Sequence, residues 1–444
     1  MATIEEIMNE IKYKNPQEPE FYQAVHEILL SIYDFLYSNK QYLQYKIIER
    51  IVEPERIIIF RIPWIDDKGK PQVNRGFRVE MNSLLGPYKG GFRFHPSVNL
   101  SIIKFLAFEQ MFKNSLTLLP IGSGKGGADF NPKGCSRNEI INFCQSFVNE
   151  FYKYAGEFID IPGSDIGAGQ KEMDFLFSQL KRIKNTFTGT IAGKSLHSGG
   201  SLLREQAPGY SVIYFAERML NTQGDSIRGK RCVVSGSGIV AQYAIEQIIQ
   251  QGGRCVSVSD SDGTIYDKNG ITEEKLAYIK ELKNIHAERI VKYAERFDCE
   301  YLKGKSPWSL ACDIAIPAAT QNEISEKDAH TLLSNGCMCV SEAAEMPCSP
   351  EAAAVFRNAK ILYAPAKAAN AGGVAVSSFE LSQNSAHTNW TKEEVNSRLE
   401  ETIIKIHDEC VEYGNENGYI NYSKGANIAA FVRIADAMLE QGLV

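Results

Sequence analysis

The chain has no apolar run near the ~18–20 residues that a membrane-spanning helix needs, although its 444 residues are 44% hydrophobic. Positive charge is not in excess either. The net charge is −6 at pH 7, the wrong sign for a nucleic-acid binder. Cysteine occurs ten times but never as C-x-x-C, and no His/Cys cluster has zinc spacing, so no metal site is expected. Buried, reduced thiols in a cytoplasmic protein are the expectation instead. No internal repeat and no low-complexity linker interrupts the chain. Its opening, Met1-Ala2-Thr3-Ile4-Glu5-Glu6, is acidic and amphipathic, unlike a secretory leader. Two phosphate and acyl-transfer signatures are also missing. Around Gly124-Lys125 the residue five before Gly124 is Leu119, and Gly126 stands where a Walker loop needs Ser or Thr. Gly122-Ser123-Gly124 and Gly236-Ser237-Gly238 lack the spacing of a nucleophile elbow.

What is present begins with a turn. The apolar run Cys232 to Val234 leads into Ser235-Gly236-Ser237-Gly238-Ile239-Val240-Ala241, then a helix-like run to Gln250. A second apolar run, Cys255 to Val258, ends in Asp260, 22 residues after Gly238. Strand, glycine turn, helix, strand and acid in that order point to a dinucleotide site. Gly236 makes the tight turn, and Gly238 lets backbone approach a pyrophosphate. Ala241, small, lets the helix pack, and the amides that open the helix face the phosphates. Gly236, Ser237, Gly238, Ile239, Val240 and Asp260 are therefore candidate NAD or NADP contacts.

Residues 3 to 50 carry helical periodicity, as in Ile4, Ile7, Ile11 and then Phe21, Val25, Ile28, Leu29, Ile32. Residues 56 to 64 and 73 to 81 read as strands around Asp66-Asp67-Lys68-Gly69, followed by a helix near 97 to 116. The region from about 200 to 370 alternates strand and helix, and 394 to 414 and 427 to 441 read as long helices. The expected fold is α/β. A substrate and oligomerisation domain with a mixed sheet spans 1–200, and the helix 425–444 packs back on it. A Rossmann-like dinucleotide-binding domain spans 201–424.

Three lysines before residue 200 keep unusual company. Lys89 lies in Gly86-Pro87-Tyr88-Lys89-Gly90-Gly91, Lys113 follows Glu109-Gln110-Met111-Phe112, and Lys125 lies in Gly124-Lys125-Gly126-Gly127. Glycines beside a lysine let a small ligand reach backbone and ammonium together. Converging ammonium groups suit a dicarboxylate, and burial with mutual repulsion lowers one of them toward neutrality. Such a lysine does acid–base work. Asp165, in Pro162-Gly163-Ser164-Asp165-Ile166-Gly167, reads equally as a turn residue or as a proton carrier near Lys125.

Together these residues resemble the hexameric glutamate dehydrogenases of roughly 450 residues. The resemblance rests on Leu85 to Gly91, Arg93 to Ser101, Phe108-Glu109-Gln110, Gly124 to Gly127, Asp165-Ile166-Gly167 and Gly199-Gly200-Ser201-Leu202. Ala319 to Glu323, Ala368 to Val374 and Gly425 to Ile428 extend it over nearly the whole chain. It implies reversible oxidative deamination of L-glutamate to 2-oxoglutarate and ammonium, with no nucleic-acid or membrane partner, in a cytoplasmic homo-hexamer assembled through the first domain. It implies that Lys89 and Ser377 hold the side-chain carboxylate and that Lys113 and Gln110 hold the α-carboxylate. Lys125, with a lowered pKa, assists water, Asp165 shuttles protons, and Arg204 orders the cleft. Closure of the two domains excludes water. Asn370 joins the cofactor contacts. Ser261, after Asp260 and near Arg289, matches the NADP-using pattern, so NADP is preferred over NAD, although Asp262 opposes a 2′-phosphate.

The chain departs from that family around the cofactor. Pro208 stands where a threonine is usual, Ile239 where an asparagine is, and Glu345 adds a carboxylate. Gly163-Ser164 replaces Ala-Gly, and Ser378 replaces a glycine. Each lost polar contact costs ~1 kcal/mol or more. Two functions follow: an active dehydrogenase with altered cofactor handling, or a weakly active or inactive paralogue with a regulatory or structural role. A dehydrogenase for another amino acid fits less well, because Lys89 and Ser377 select a second carboxylate.

Overall fold

The structure, a computed structural model, describes residues 3–443. Met1 and Ala2 of the chain's opening lie outside the described residues. The chain divides into two compact units. Unit 1 comprises the residues up to Arg204, Val374–Val395 and those from Asn427 onward; unit 2 comprises Glu205–Gly373 and Asn396–Ala426. The block 201–424 expected for the cofactor domain is thus interrupted, because 374–395 belongs with the first unit. Fully buried Glu380 gives the reason: it accepts from the Gly193 N–H and pairs with Lys194.

Unit 1 begins with helices. Along Pro19–Ser38 the residues Phe21, Val25, Ile28, Leu29 and Ile32 recur at helical spacing, and all are buried. β1 (Arg56–Ile65) and β2 (Pro71–Asn82) form the expected hairpin, with Ile57 opposite Val79 and Trp64 opposite Gln72. With β3 (Tyr88–Phe94), β4 (Ser123–Ala128) and β5 (Asp160–Ser164) they make a mixed sheet in the order β1-β2-β4-β3-β5. β3 runs parallel to β4 and β5, while β2 runs antiparallel to β1 and β4. Side chains alternate across a strand. Phe92 and Phe94 of β3 therefore enter one core with Phe130, Phe143, Phe147 and Phe151, in which Phe130 stacks on Phe143 at 3.8 Å. Lys89, Gly91 and Arg93 take the other face. β4, Ser-Gly-Lys-Gly-Gly-Ala, is buried throughout. Its neighbours press so close that a Cβ on Gly90 would come within 1.8 Å of the Gly124 carbonyl oxygen.

Unit 2 contains β6 (Arg231–Val234), β7 (Arg254–Cys255), β8 (Ser257–Asp260), β9 (Gly263–Tyr266), β10 (Glu300–Lys303), β11 (Ile314–Ile316), β12 (Cys339–Ser341) and β13 (Leu362–Ala364). Five of them form an all-parallel sheet in the order β13-β12-β11-β6-β7. β8, β9 and β10 form a separate antiparallel sheet. The single strand expected from Cys255 to Asp260 therefore splits at Val256. Ser257 explains the break: its hydroxyl accepts from Val234 N (2.9 Å) and donates to Val234 O (3.0 Å). The side chain thus occupies groups that would otherwise pair with a continuing strand. Trp308, Phe356, Val233 and Val340 lie in the core of this unit. All ten cysteines are free thiols and eight are buried. Burial pushes the thiols of Cys232 and Cys339 well up, which keeps them unreactive. Among the described residues, no helix is long and apolar enough to cross a membrane.

Candidate active site

The face of β3 opposite the phenylalanine core carries the chemistry of unit 1. Arg93 Nε donates to Asp165 Oδ2 at 2.8 Å, and Lys125 Nζ approaches Asp165 Oδ1 at 3.2 Å. Asp165 sits in a tight loop closed by Ala168 N donating to Asp165 O at 3.0 Å, with Gly167 at φ 72°. It is thus a turn residue by backbone, while its side chain faces two cations. Burial pushes its carboxyl up, but Lys125 and Arg93 outweigh burial and hold it below the usual carboxylate range. Sequence reasoning assigns Arg93 no role. Its spacing of two and four residues from Gly91 and Lys89 on one strand nevertheless puts it on the same face.

Lys89 is 3% exposed. Burial and the Arg204 guanidinium push its ammonium down to about 7, against the partial support of Glu380. A Cβ placed on Gly163 would lie 3.2 Å from Lys89 Nζ and 3.9 Å from Ser377 Oγ, so ammonium and hydroxyl converge on one point of β5. Arg204 donates to Ser164 Oγ at 3.2 Å. Behind the pocket, Arg78 Nε donates to Asp160 Oδ2 at 2.7 Å, both fully buried. Gln110 and Lys113 lie one turn apart on the helix Leu100–Leu116, both half-buried. Gln110 Nε2 donates to Asn114 Oδ1 at 2.6 Å, and Asn114 Nδ2 donates to Lys89 O at 3.0 Å. That chain ties the helix to Lys89. The structure therefore gathers Lys89, Lys125, Asp165, Arg204 and Ser377 in unit 1, with Gln110 linked through Asn114.

The turn of unit 2 meets the requirements of a dinucleotide phosphate. Gly236 has φ 76°, and a Cβ there would lie 2.9 Å from the Ala318 carbonyl oxygen, so only glycine fits. Its N–H donates to Ser259 Oγ at 2.7 Å. Gly238 begins the helix Ile239–Gln250 with no side-chain cap, and nothing lies within 4 Å of where its Cβ would stand. The start of the helix thus has open space beside Gly238 and first-turn amides, Val240's among them, that no side chain caps, a combination suited to a phosphate. Ser237 is buried and Ile239 is 38% exposed. Asp260 turns inward: Oδ1 accepts from Asp262 N and Oδ2 from Ile290 N, each at 3.0 Å. Ser261 Oγ accepts from Arg289 at 2.6 Å, and Arg289 Nε pairs with Asp262 at 3.2 Å. Asn370 donates to Ala343 O at 2.5 Å. Pro208 is accommodated in the first turn of the helix Ala207–Asn221, its carbonyl accepting from Ser211 Oγ at 3.0 Å. Glu345 is exposed.

A sheet bearing paired lysines and an ion-paired aspartate, followed by this turn, agrees with the family signatures in the chain. Residues 54–182 match the Glu/Leu/Phe/Val dehydrogenase dimerisation domain, and residues 199–442 match the Glutamate/Leucine/Phenylalanine/Valine dehydrogenase domain. The chain belongs to the Glu/Leu/Phe/Val dehydrogenase family. Among these dehydrogenases it is 52% identical over 439 residues to a glutamate dehydrogenase of Bacteroides thetaiotaomicron, covering 99% of each chain. It is 51% identical to an NAD(P)-specific glutamate dehydrogenase of Xylanibacter ruminicola, again over 99% of each. Its fold superposes on the crystal structure of a Plasmodium falciparum glutamate dehydrogenase with a TM-score of 0.97, at 44% identity, covering 99% of this chain and 95% of that one.

Proposed function

We propose that the protein catalyses the reversible oxidative deamination of L-glutamate to 2-oxoglutarate and ammonium with a nicotinamide cofactor. The observation that carries this reading is the Lys125–Asp165 contact at 3.2 Å, set beside a pocket where Lys89 and Ser377 converge. Lys89 and Ser377 hold the distal carboxylate, and Lys113 with Gln110 holds the α-carboxylate. Lys125 assists attack of water on the imine carbon. Asp165, kept ionised by Lys125 and Arg93, takes protons from the amino group and returns them. A nicotinamide cofactor bound by unit 2 would supply the acceptor for the hydride that leaves the substrate Cα. Gly236, Ser237, Gly238, Ile239 and Val240 would hold its phosphates, and Asp260, Ser261 and Asn370 would complete its site.

NADP is the favoured cofactor. Asp260 already accepts two backbone N–H groups, whereas Ser261 and the half-exposed guanidinium of Arg289 suit a 2′-phosphate. The protein works as a cytoplasmic homo-hexamer. The apolar side chains of Ile57, Ile59 and Ile65, exposed on the edge strand β1, support self-association through unit 1. Nothing at the described positions of Pro208, Ile239 or Glu345 favours a silent paralogue.

The test is loss of reduced-nicotinamide absorbance with 2-oxoglutarate and ammonium, run separately with NADPH and NADH. Turnover, faster with NADPH, is expected. A folded protein that turns over neither overturns the reading.

A further inference from the structure

Helix Gly372–Ser385 carries Ser377, and one turn later it carries Glu380, which has no part in the chemistry above. Glu380 and Lys194 are both fully buried, with Oε1 and Nζ 2.7 Å apart. Taking two charges out of water is costly, and such a pair often contributes no net stability over apolar residues of like size. Its neighbours suggest what it does instead. Glu380 Oε2 accepts from Gly193 N at 2.9 Å, and Lys194 donates to Asn384 Oδ1 at 3.0 Å. Asn384 Nδ2 in turn donates to Gly199 O at 2.7 Å, and Gln383 donates to Ser201 Oγ at 2.9 Å. The helix is thus fastened along one side to 193–201. The residue just before that segment holds β5, since Ala192 N donates to Pro162 O at 2.9 Å. A Cβ on Gly193 would lie 3.1 Å from Ser164 Oγ, the atom that accepts from Arg204.

We propose that the buried Lys194–Glu380 pair is a positioning device for the distal-carboxylate pocket, holding Ser377, Ser164 and Arg204 in register with Lys89. This rests on the reading of that pocket given above. The pair also acts through charge. The groups that act on Lys89 are Arg204 and Arg78, which oppose its charge, and Glu380 and Asp160, which support it. Glu380 is thus one of two anions favouring an ammonium there, and Lys194 keeps Glu380 from standing as an uncompensated buried charge.

The test uses the full-length enzyme with 2-oxoglutarate and with 2-oxovalerate, which has the same chain length but no distal carboxylate. In Glu380→Gln, KM for 2-oxoglutarate is expected to rise about tenfold, with kcat and the kcat/KM for 2-oxovalerate little changed. The pH above which KM for 2-oxoglutarate climbs is expected to fall, because Lys89 loses an anion and faces an unpaired Lys194. Equal losses on both substrates, or an unmoved pH profile, would overturn the proposal. If Glu380→Gln does not fold, the double variant Lys194→Met/Glu380→Leu removes both charges. It is expected to fold and still to lose selectively against 2-oxoglutarate, and normal selectivity in it would overturn the proposal. Absence of turnover in the wild type would instead defeat the glutamate reading itself.

Discussion

The two sites on this chain are built from opposite materials. In unit 1 the chemistry resides in buried, charged side chains that hold one another: Lys125 and Arg93 on Asp165, Arg204 on Ser164, Lys194 on Glu380. In unit 2 the phosphate turn is made of backbone and open space, with Gly236 forced by its φ and Gly238 facing nothing within 4 Å. A site of side chains loses its function when one functional group is replaced. A site of backbone tolerates change wherever the chain path survives. Ile239, 38% exposed at the first position of the helix Ile239–Gln250, accordingly leaves the turn undisturbed.

The contrast breaks most sharply at the ion pair. Asp165→Asn or Lys125→Ala is expected to lower kcat about a thousandfold while circular dichroism and cofactor binding stay normal. Survival of more than a tenth of kcat in both variants would remove the assigned acid–base roles. Next comes Lys89→Met, expected to raise KM for 2-oxoglutarate about a hundredfold. Lys89 titrates at about 7 in the free protein, and a bound carboxylate favours its charged form. Near pH 8 (about one unit above that value) binding of 2-oxoglutarate should therefore take up a fraction of a proton. Calorimetry in two buffers of different ionisation enthalpy reads this, and Lys89→Met should abolish it. The sign for folding follows. The unfolded chain keeps the ordinary lysine value of 10.5, so stability rises as pH goes from about 7 toward 10.5, and the full cost is present below 7. Lys89→Met should therefore be the more stable protein at acid pH, a trade of stability for function.

The cofactor side should give smaller effects. Arg289→Ala is expected to raise KM for NADPH about tenfold and to leave NADH nearly unchanged; equal changes would remove Arg289 from the 2′-phosphate. The two glycines then sharpen the comparison within one turn. Gly236→Ala should destabilise the protein by about 1–3 kcal/mol, because a Cβ there strains the backbone and meets the Ala318 carbonyl. Gly238→Ala should leave the melting temperature alone and weaken cofactor binding only several-fold. Equal melting temperatures in the two variants would contradict the geometry.

Much of this was legible in the residues. The turn from Val234 to Ala241 is readable because each glycine has a separate steric duty, and the glycines beside Lys89 and Lys125 mark two lysines that the sheet buries. The β1–β2 hairpin follows from alternation and a turn. What stayed hidden depends on long-range contact. Lys194 and Glu380 stand 186 residues apart, and no local pattern pairs them. Nor does any pattern show that Ser257, by a hydroxyl bonded to Val234, ends one sheet and starts another. Residues 374–395 read as a continuation of the cofactor domain, since only the partners of Glu380 reveal which core they serve.

The chain passes from one unit to the other four times, at 204/205, 373/374, 395/396 and 426/427. On the ribosome this sets an order of completion. The 169 residues Glu205–Gly373 that hold the whole parallel sheet are made before Ser377 and Glu380 exist. The substrate pocket must wait half-built through that interval, with Lys194 already synthesised and its counter-charge still to come. A nascent chain arrested before residue 374 carries the glycine turn in its sequence but has no finished carboxylate pocket, and it still lacks the Asn396–Ala426 part of unit 2. Molecules released early would at most bind cofactor without turnover, so premature termination yields an inert product rather than a promiscuous one.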